Sequence, residues 1–545
     1  MWMRNLLFLV LCCAGLIALG ASLSPAPKSP SERELRSLGP LPADLRTTVD
    51  RLDAAFHEQW AEIGLTPAQR ADDLTIARRL SLALAGTIPS LEEIRWLESL
   101  PAERRLDDWL AALFADRRYH DYLAERLARA YVGTQDGPFI LFRRRRFVAW
   151  LADQLARNRP YNELATDLIA EDGLWTDRPA TNFITATIKP DQGPDPNALA
   201  ARVSRAFLAQ RIDCAECHDH PFEHWKQADF QGIAAFFGQT KQRFTGIRDV
   251  EGDFQVENRT TGEMETIVPR VPYQPELRSK AGGLRRQLAC WVTHPENKAF
   301  GRAVANRIWA LMFGRPLVEP IDDVPEDDVP AALDILAEDF IAHGYDLRRM
   351  IRAIAGSQAF ACDSLADSSA ADERGEVAQI SDDAAASWAR FPITRMRPEQ
   401  VIGGVLQAAS LETLDYESHI LTRIVRAAGQ NEFIQRYGDD GDDEFLPQGG
   451  TIPQRLLMMN GKHVTEVTSQ NIIRSAATQI ALLASTDKLA IETAYLAVLT
   501  RRPTQTEADY FTARLADKQD KRSRGQRLED LYWTLLNSTE FSWNH

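Results

Sequence analysis

Apolar side chains recur three and four positions apart along most of this chain, and that spacing limits what it can fold into. Leu106, Trp109, Leu110, Leu113 and Phe114 show the pattern, because together they form one apolar stripe on a helix. The sequence has no alternation of short apolar strands with helices, so a parallel sheet with crossover helices is disfavoured. The predicted fold class is therefore mainly α.

Residues at the predicted helix starts support this interpretation. Ser90 and Glu93 form the Ser-x-x-Glu pattern of a capping box ahead of an apolar run. Asp195 followed by Pro196 combines an N-cap residue with proline at the first helical position. The helix that begins there is predicted to lead the chain to Cys214.

The sequence also suggests how the chain is divided. Between about Phe244 and Tyr273, short alternating runs of Thr, Val, Gly and Glu are typical of strands. We therefore expect two helical domains with a small strand-containing insert between them. The predicted segments are a signal peptide or N-terminal anchor at 1–21, a linker at 22–45, a helical domain at 46–243, the insert at 244–280 and a C-terminal helical domain at 281–545.

Charge and motif content exclude some functions. The formal net charge is −14, whereas domains that bind phosphate backbones are usually strongly basic, so nucleic acid is not an expected partner. The sequence contains no nucleophile elbow, phosphate-binding loop or His-Glu-x-x-His motif. It therefore indicates no catalytic residue, and whether the protein is an enzyme stays open.

The N-terminus has the layout of an export signal. Arg4 precedes an uncharged apolar run from Leu6 to Leu19, and the small residues Gly20 and Ala21 follow. We expect the protein to be exported to the periplasm or cell envelope. Attachment to a membrane through an uncleaved N-terminal segment stays open, although the run is shorter than the roughly 20 residues of a typical span.

One motif carries specific chemistry. Residues 214–218 read Cys-Ala-Glu-Cys-His, which is the spacing of covalent haem attachment. Two thiols separated by two residues match the two vinyl groups on one edge of the porphyrin, and the adjacent His218 would be an axial ligand of the iron. The sequence therefore predicts haem c bound by Cys214, Cys217 and His218.

Other interpretations of the same residues stay open. The motif continues through His220 and His224, so two of these three histidines could join Cys214 and Cys217 in a zinc or iron site. The cysteines could instead form a tight disulfide or redox pair. The cluster could also be purely structural.

Residues farther along the chain bear on the haem interpretation. Met264 and Met312 are candidates for a distal ligand, although methionine on an apolar face is more often a core residue. Aromatic residues that could line the cofactor, or equally belong to the core, are Phe222, Trp225, Phe236 and Phe237.

Two further cysteines lie outside the motif. In an oxidising compartment, Cys290 and Cys362 are predicted to form a disulfide, with burial as two separate thiols as the alternative.

Longer motifs resemble a known family. The chain is similar to the planctomycete-specific cytochrome c-like domain (domain of unknown function fifteen forty-nine), followed by its usual C-terminal partner (domain of unknown function fifteen fifty-three). The motifs that carry the first likeness lie at 78–89, 158–161, 214–225 and 234–237, and those of the second at 306–309, 313–320, 344–347 and 536–541.

The resemblance implies a cytochrome-like protein and brings no catalytic mechanism with it. The family motif extends through Asp219–Phe222, which haem attachment alone does not require, so the metal-site alternative stays open. We expect an exported c-type cytochrome-like protein that binds haem and transfers electrons to a redox partner or envelope protein. The alternative is a non-haem metal-binding protein, or a structural or interaction protein of the cell envelope.

Overall fold

Helices dominate the structure, a computed structural model that describes residues 39–134, 144–189, 192–257, 262–365, 383–415, 433–434, 436–438, 445, 451–461, 464, 475–517 and 522–545. The first group of helices comprises α1 (Ala43–Glu62), α2 (Asp73–Ala85), α3 (Leu91–Ser99), α4 (Arg105–Ala115), α5 (Arg117–Val132), α6 (Arg144–Ala156), α7 (Tyr161–Ala170), α8 (Asn182–Thr185), α9 (Pro196–Val203) and α10 (Gln227–Ala234). The second comprises α11 (Leu284–Val292), α12 (Lys298–Phe313), α13 (Ala331–Ala342), α14 (Leu347–Gly356), α15 (Gln358–Ala361), α16 (Pro398–Ala408), α17 (Ile452–Asn460), α18 (Ala476–Leu483), α19 (Asp487–Leu499), α20 (Gln505–Ala516) and α21 (Arg524–Leu536). The predicted mainly α class is confirmed.

Strands form short antiparallel pairs. Within the described residues these pairs are β1 (Ile188–Lys189) with β2 (Gly193–Pro194), β3 (Thr240–Arg243) with β4 (Gly246–Asp249), β5 (Phe254–Glu257) with β6 (Met264–Ile267), and β7 (Thr394–Arg395) with β8 (Trp543–Asn544). Strands β4, β5 and β6 lie within the segment where the sequence predicts strands, whereas β3 lies just before it, in the segment predicted to be helical.

Local capping chemistry explains where several helices begin. The Ser90 hydroxyl accepts a hydrogen bond from the Glu93 backbone N–H at 3.0 Å, and the Glu93 carboxylate accepts one from the Ser90 N–H at 2.8 Å. The predicted capping box is therefore present at the start of α3. Asp195 likewise caps α9, since its carboxylate accepts from the Asn197 N–H at 3.0 Å, with Pro196 in the first turn.

The helices pack around two apolar cores. The larger core draws on α1 to α15, so it takes residues from both sides of the strand-containing segment. Helix α12 crosses its centre, where Trp309 stacks on Phe313 with ring centroids 4.2 Å apart. The smaller core gathers α16, α18, α19 and α21 around Leu82 and Ile88. Leu82 lies in α2, so it ties the C-terminal helices to the first helical region.

The predicted disulfide between Cys290 and Cys362 is wrong. Both are unbridged thiols in the structure, with Cys290 partly buried and Cys362 buried. Cys362 instead pairs in a short antiparallel bridge with Arg70, and its Sγ lies 3.6 Å from the carbonyl oxygen of Ala68. Burial raises the pKa of this thiol to about 11, so it stays protonated at neutral pH.

The predicted signal segment lies outside the described residues, as does most of the predicted linker. Among the helices that the structure does describe, none is both long enough and apolar enough to cross a membrane.

Candidate functional site

The Cys-x-x-Cys-His motif follows directly from helix α9. The helix continues as a π-helical turn at Ser204–Leu208 and ends at Ala209, whose φ is 48°. A short 3₁₀ turn, Asp213–Glu216, then carries Cys214. The predicted route from the capped helix into the motif is therefore confirmed.

The two cysteines lie on the exposed side of this turn. Ile212 and Ala215 are 2% and 0% exposed and anchor the turn in the larger core, whereas Cys214 and Cys217 are exposed. The two cysteines do not form a disulfide with each other. A reagent or cofactor outside the protein can therefore reach both thiols.

Ion pairs from a distant part of the chain hold the turn against the rest of the protein. Arg205 contacts Asp213 at 2.7 Å and Asp322 at 3.4 Å, and Arg211 contacts Asp322 at 2.6 Å. Asp323 accepts a hydrogen bond from the Arg211 backbone N–H, but burial and the nearby Glu223 carboxylate raise the pKa of Asp323. The acidic stretch around Asp322 thus positions the motif.

His218 is exposed, and a backbone contact orients its ring. Its Nδ1 lies 2.7 Å from the backbone carbonyl oxygen of Asp219, so in the neutral ring this nitrogen carries the proton and donates it. The Nε2 lone pair is then the one that can bind a metal ion. A carbonyl on the opposite ring nitrogen is a common way for proteins to fix a histidine ligand.

His220 has a different role, since it organises the loop that follows. Its Nδ1 accepts hydrogen bonds from the backbone N–H groups of Phe222 at 3.3 Å and Glu223 at 2.9 Å. Its own backbone N–H donates to the carbonyl of Trp225 at 2.8 Å. Nδ1 therefore acts like the side-chain oxygen of an Asx turn, which closes residues 220–225 into a compact loop.

The His224 ring contacts residues other than those that His220 contacts. Its ring lies against Trp225, with centroids 4.2 Å apart, and its Nε2 is 3.6 Å from Oε1 of Glu326. Over the described ranges no group of three or more histidine, cysteine or acidic side chains gathers where it could hold a metal ion. Residues 214–224 thus contain all five predicted ligands, but their side chains do not gather around one point.

The surrounding aromatic residues divide into two groups. Trp225, Phe236 and Phe237 are 5%, 0% and 0% exposed and belong to the larger core. Phe222 is 93% exposed, so it is the member of the predicted set that offers its ring beside the motif. The two predicted distal ligands differ as well, since Met312 is fully buried in α12 and Met264 is 58% exposed on β6.

His220→Asn tests the loop assignment. The Asn side-chain oxygen can accept the same two backbone hydrogen bonds as Nδ1, so we expect His220→Asn to keep the amide protons of Phe222 and Glu223 protected from exchange. His220→Ala is expected to lose that protection, with a cost of about 1 kcal/mol in unfolding free energy. Hydrogen exchange measured by mass spectrometry or NMR distinguishes the two variants. Equal loss of protection in both would contradict the assignment.

The chain is a mainly helical protein that presents a Cys-x-x-Cys-His loop on its surface. Residues 51–242 match the family described as protein of unknown function (DUF1549), and residues 284–436 match the one described as protein of unknown function (DUF1553). The chain belongs to the proteins that carry these two domains in this order, as its motifs predict. No curated protein and no solved structure matches it.

Proposed function

We propose that this protein is an exported c-type cytochrome-like protein that binds haem c and transfers electrons. The observation that carries the proposal is the exposure of the two thiols, together with the hydrogen bond that orients His218. Cys214 and Cys217 present exposed thiols at the spacing of the two vinyl groups, and the next residue, His218, keeps its Nε2 lone pair for the iron.

Each residue has a distinct part in this proposal. Cys214 and Cys217 would hold the haem through thioether bonds, and His218 would be an axial ligand of the iron. Bound haem supplies one-electron redox chemistry. The Asp219 carbonyl fixes the ring of His218, and the Arg205 and Arg211 ion pairs fix the turn that carries the thiols.

Export supports the same proposal. The Arg4 charge followed by the apolar run Leu6–Leu19 is typical of a segment that directs a chain out of the cytoplasm. Covalent haem attachment takes place outside the cytoplasm, and a cofactor held by thioethers cannot be lost there. The expected partner is a redox protein or another protein of the cell envelope.

The arrangement is less suited to a zinc or iron site. Such a site needs two of His218, His220 and His224 in addition to the thiols. Nδ1 of His220 is occupied by two backbone donors, and Nε2 of His224 faces the Glu326 carboxylate. If His218 is one of the ligands, His220 or His224 would have to give up these contacts to supply the other.

His218→Ala separates axial ligation from covalent attachment. In protein produced with a working haem-attachment system, we expect this variant to keep covalent haem while the visible spectrum shifts, because the iron loses its proximal nitrogen. His224→Ala is the matched control, since it removes an exposed histidine from the same loop, and it should leave the spectrum unchanged. If His218→Ala leaves the spectrum unchanged, His218 is not the axial ligand.

A further inference from the structure

A cleft of about 380 Å³ lies beside the Cys-x-x-Cys-His loop and does not include its cysteines. Gln210, four residues before Cys214, forms part of its wall. Glu326, which contacts His224, forms part of its rim. The volume is near the lower end of the range for small-molecule pockets, so the matching ligand is small.

Three polar side chains in the wall are fixed before anything binds. Gln210 Nε2 donates to the hydroxyl of Tyr273, and that hydroxyl donates to Oδ1 of Asn297, both at 3.4 Å. Asn297 Nδ2 donates to the carbonyl of Trp291 at 3.1 Å. Gln210 and Asn297 are only 4% and 1% exposed, so their positions are set by the core. A preorganised polar wall lowers the entropic cost of binding a ligand.

One acceptor in this wall has no donor from the protein. Within the described part of the chain, no N–H or O–H group hydrogen-bonds to Oε1 of Gln210, and this oxygen is not fully buried although most of the side chain is. Oε1 therefore stays accessible from the cleft, where the hydroxyl or amino group of a ligand can donate to it in place of water.

The backbone around the cleft is strained at two positions. Ala209 and Gln274 have φ values of 48° and 43°, which place both in the left-handed region that glycine favours. Ala209 joins two lining residues, and Gln274 lines the cleft itself. Strained non-glycine residues cluster at ligand sites, where the surrounding structure holds them in place.

The charges of the cleft select against an anion. The Arg302 guanidinium is already bound by the Asp334 carboxylate at 2.6 and 3.0 Å, and it also donates to the Glu326 carbonyl. Lys298 is then the remaining cation of the lining. It is outnumbered by the lining carboxylates, which are those of Glu296, Glu326 and Asp327.

We infer that this cleft binds a small hydroxylated molecule without negative charge, of the monosaccharide or amino-sugar class. Hydroxyl and amino groups supply donors for Gln210 Oε1 and for the three lining carboxylates. A sugar hydroxyl can also donate to the Tyr273 oxygen. The inference goes beyond the proposed electron-transfer function, because neither the thiols nor His218 line the cleft.

Isothermal titration of the full exported chain with glucose, glucosamine and glucose 6-phosphate tests the inference. We expect saturable binding of glucose and glucosamine below about 10 mM, and binding of glucose 6-phosphate about tenfold weaker or absent. Gln210→Leu should weaken the binding of both glucose and glucosamine by about tenfold, because it removes the acceptor that faces the cleft. Gln505→Leu, on the exposed side of α20, is the matched control and should change nothing.

A second variant keeps the test decisive if Gln210→Leu does not fold. Lys298 is exposed, so Lys298→Glu is expected to fold, and it should tighten glucosamine binding about two- to threefold while leaving glucose nearly unchanged. The inference is overturned if neither sugar binds, or if glucose 6-phosphate binds more tightly than glucose. Repeating the titration on the Cys214→Ala/Cys217→Ala variant separates this outcome from any failure of haem attachment.

Discussion

Replacing Cys214 and Cys217 together by alanine is expected to abolish covalent haem binding. Each single replacement should leave one thioether and weaken retention, whereas the double variant leaves none. Both side chains are exposed, so the free energy of unfolding should change by less than about 0.5 kcal/mol. Loss of haem in a folded protein would therefore report on attachment and not on stability.

Haem staining of a denaturing gel and intact-mass analysis measure this result directly. Cys290→Ala is the matched control, because it removes a partly buried thiol outside the motif and should leave the haem signal unchanged. A double variant that keeps covalent porphyrin would contradict the assignment of the motif. Copurification of zinc or iron without porphyrin, lost in the same variant, would favour the metal-site interpretation instead.

Glu399→Gln is expected to have the largest effect on stability. Glu399, at the start of α16, contacts Arg126 and lies 2.9 Å from Arg129 on α5. The two arginines are 1% and 8% exposed. Without the carboxylate, the two buried arginines lose the partner that they share, and Arg129 keeps a longer contact with Glu125 at 3.4 Å. We therefore expect a loss of about 3 kcal/mol in the free energy of unfolding. Glu338→Gln, in an exposed pair with Arg51, should cost less than about 1 kcal/mol.

The same carboxylate predicts a pH dependence. The neighbouring guanidinium groups outweigh burial and lower the pKa of Glu399 from 4.5 to about 2. A depressed pKa stabilises the folded state at pH above 4.5, and this stabilisation is lost as the pH falls towards 2. Between pH 7 and pH 3, the free energy of unfolding measured with denaturant should fall in the wild type and fall less in Glu399→Gln. An equal fall in both proteins would contradict this account. A cost of Glu399→Gln below about 1 kcal/mol at pH 7 would contradict it as well.

Local features of the fold could be predicted from the sequence because their causes are local. The capping box at Ser90 and the Asp195 cap depend on residues within three positions of each other. The stripe on α4 is buried as its spacing predicts, with Trp109 and Phe114 both 3% exposed. Short-range hydrogen bonding and helical period determine such features, so residue order alone is sufficient.

The surroundings of the motif could not be predicted, because they depend on contacts between distant parts of the chain. Arg205 and Asp322 are 117 residues apart, yet their contact helps to fix the cysteine turn. The disulfide prediction failed for the same reason, since residue type and compartment do not report where Cys290 and Cys362 lie in space. His220 was predicted as a metal ligand, whereas its Nδ1 contacts depend on how the following backbone turns.

The covalent state of the wild-type protein tests the central proposal most directly. The full chain would be produced with its own N-terminal segment in a cell that has a working haem-attachment system, then denatured and separated from all non-covalent ligands. The account predicts a porphyrin that stays with the denatured chain, gives a c-type pyridine haemochrome spectrum and maps by mass spectrometry to the peptide containing Cys214 and Cys217. Denatured wild-type protein that carries no porphyrin, while a control cytochrome from the same cells does, would contradict it.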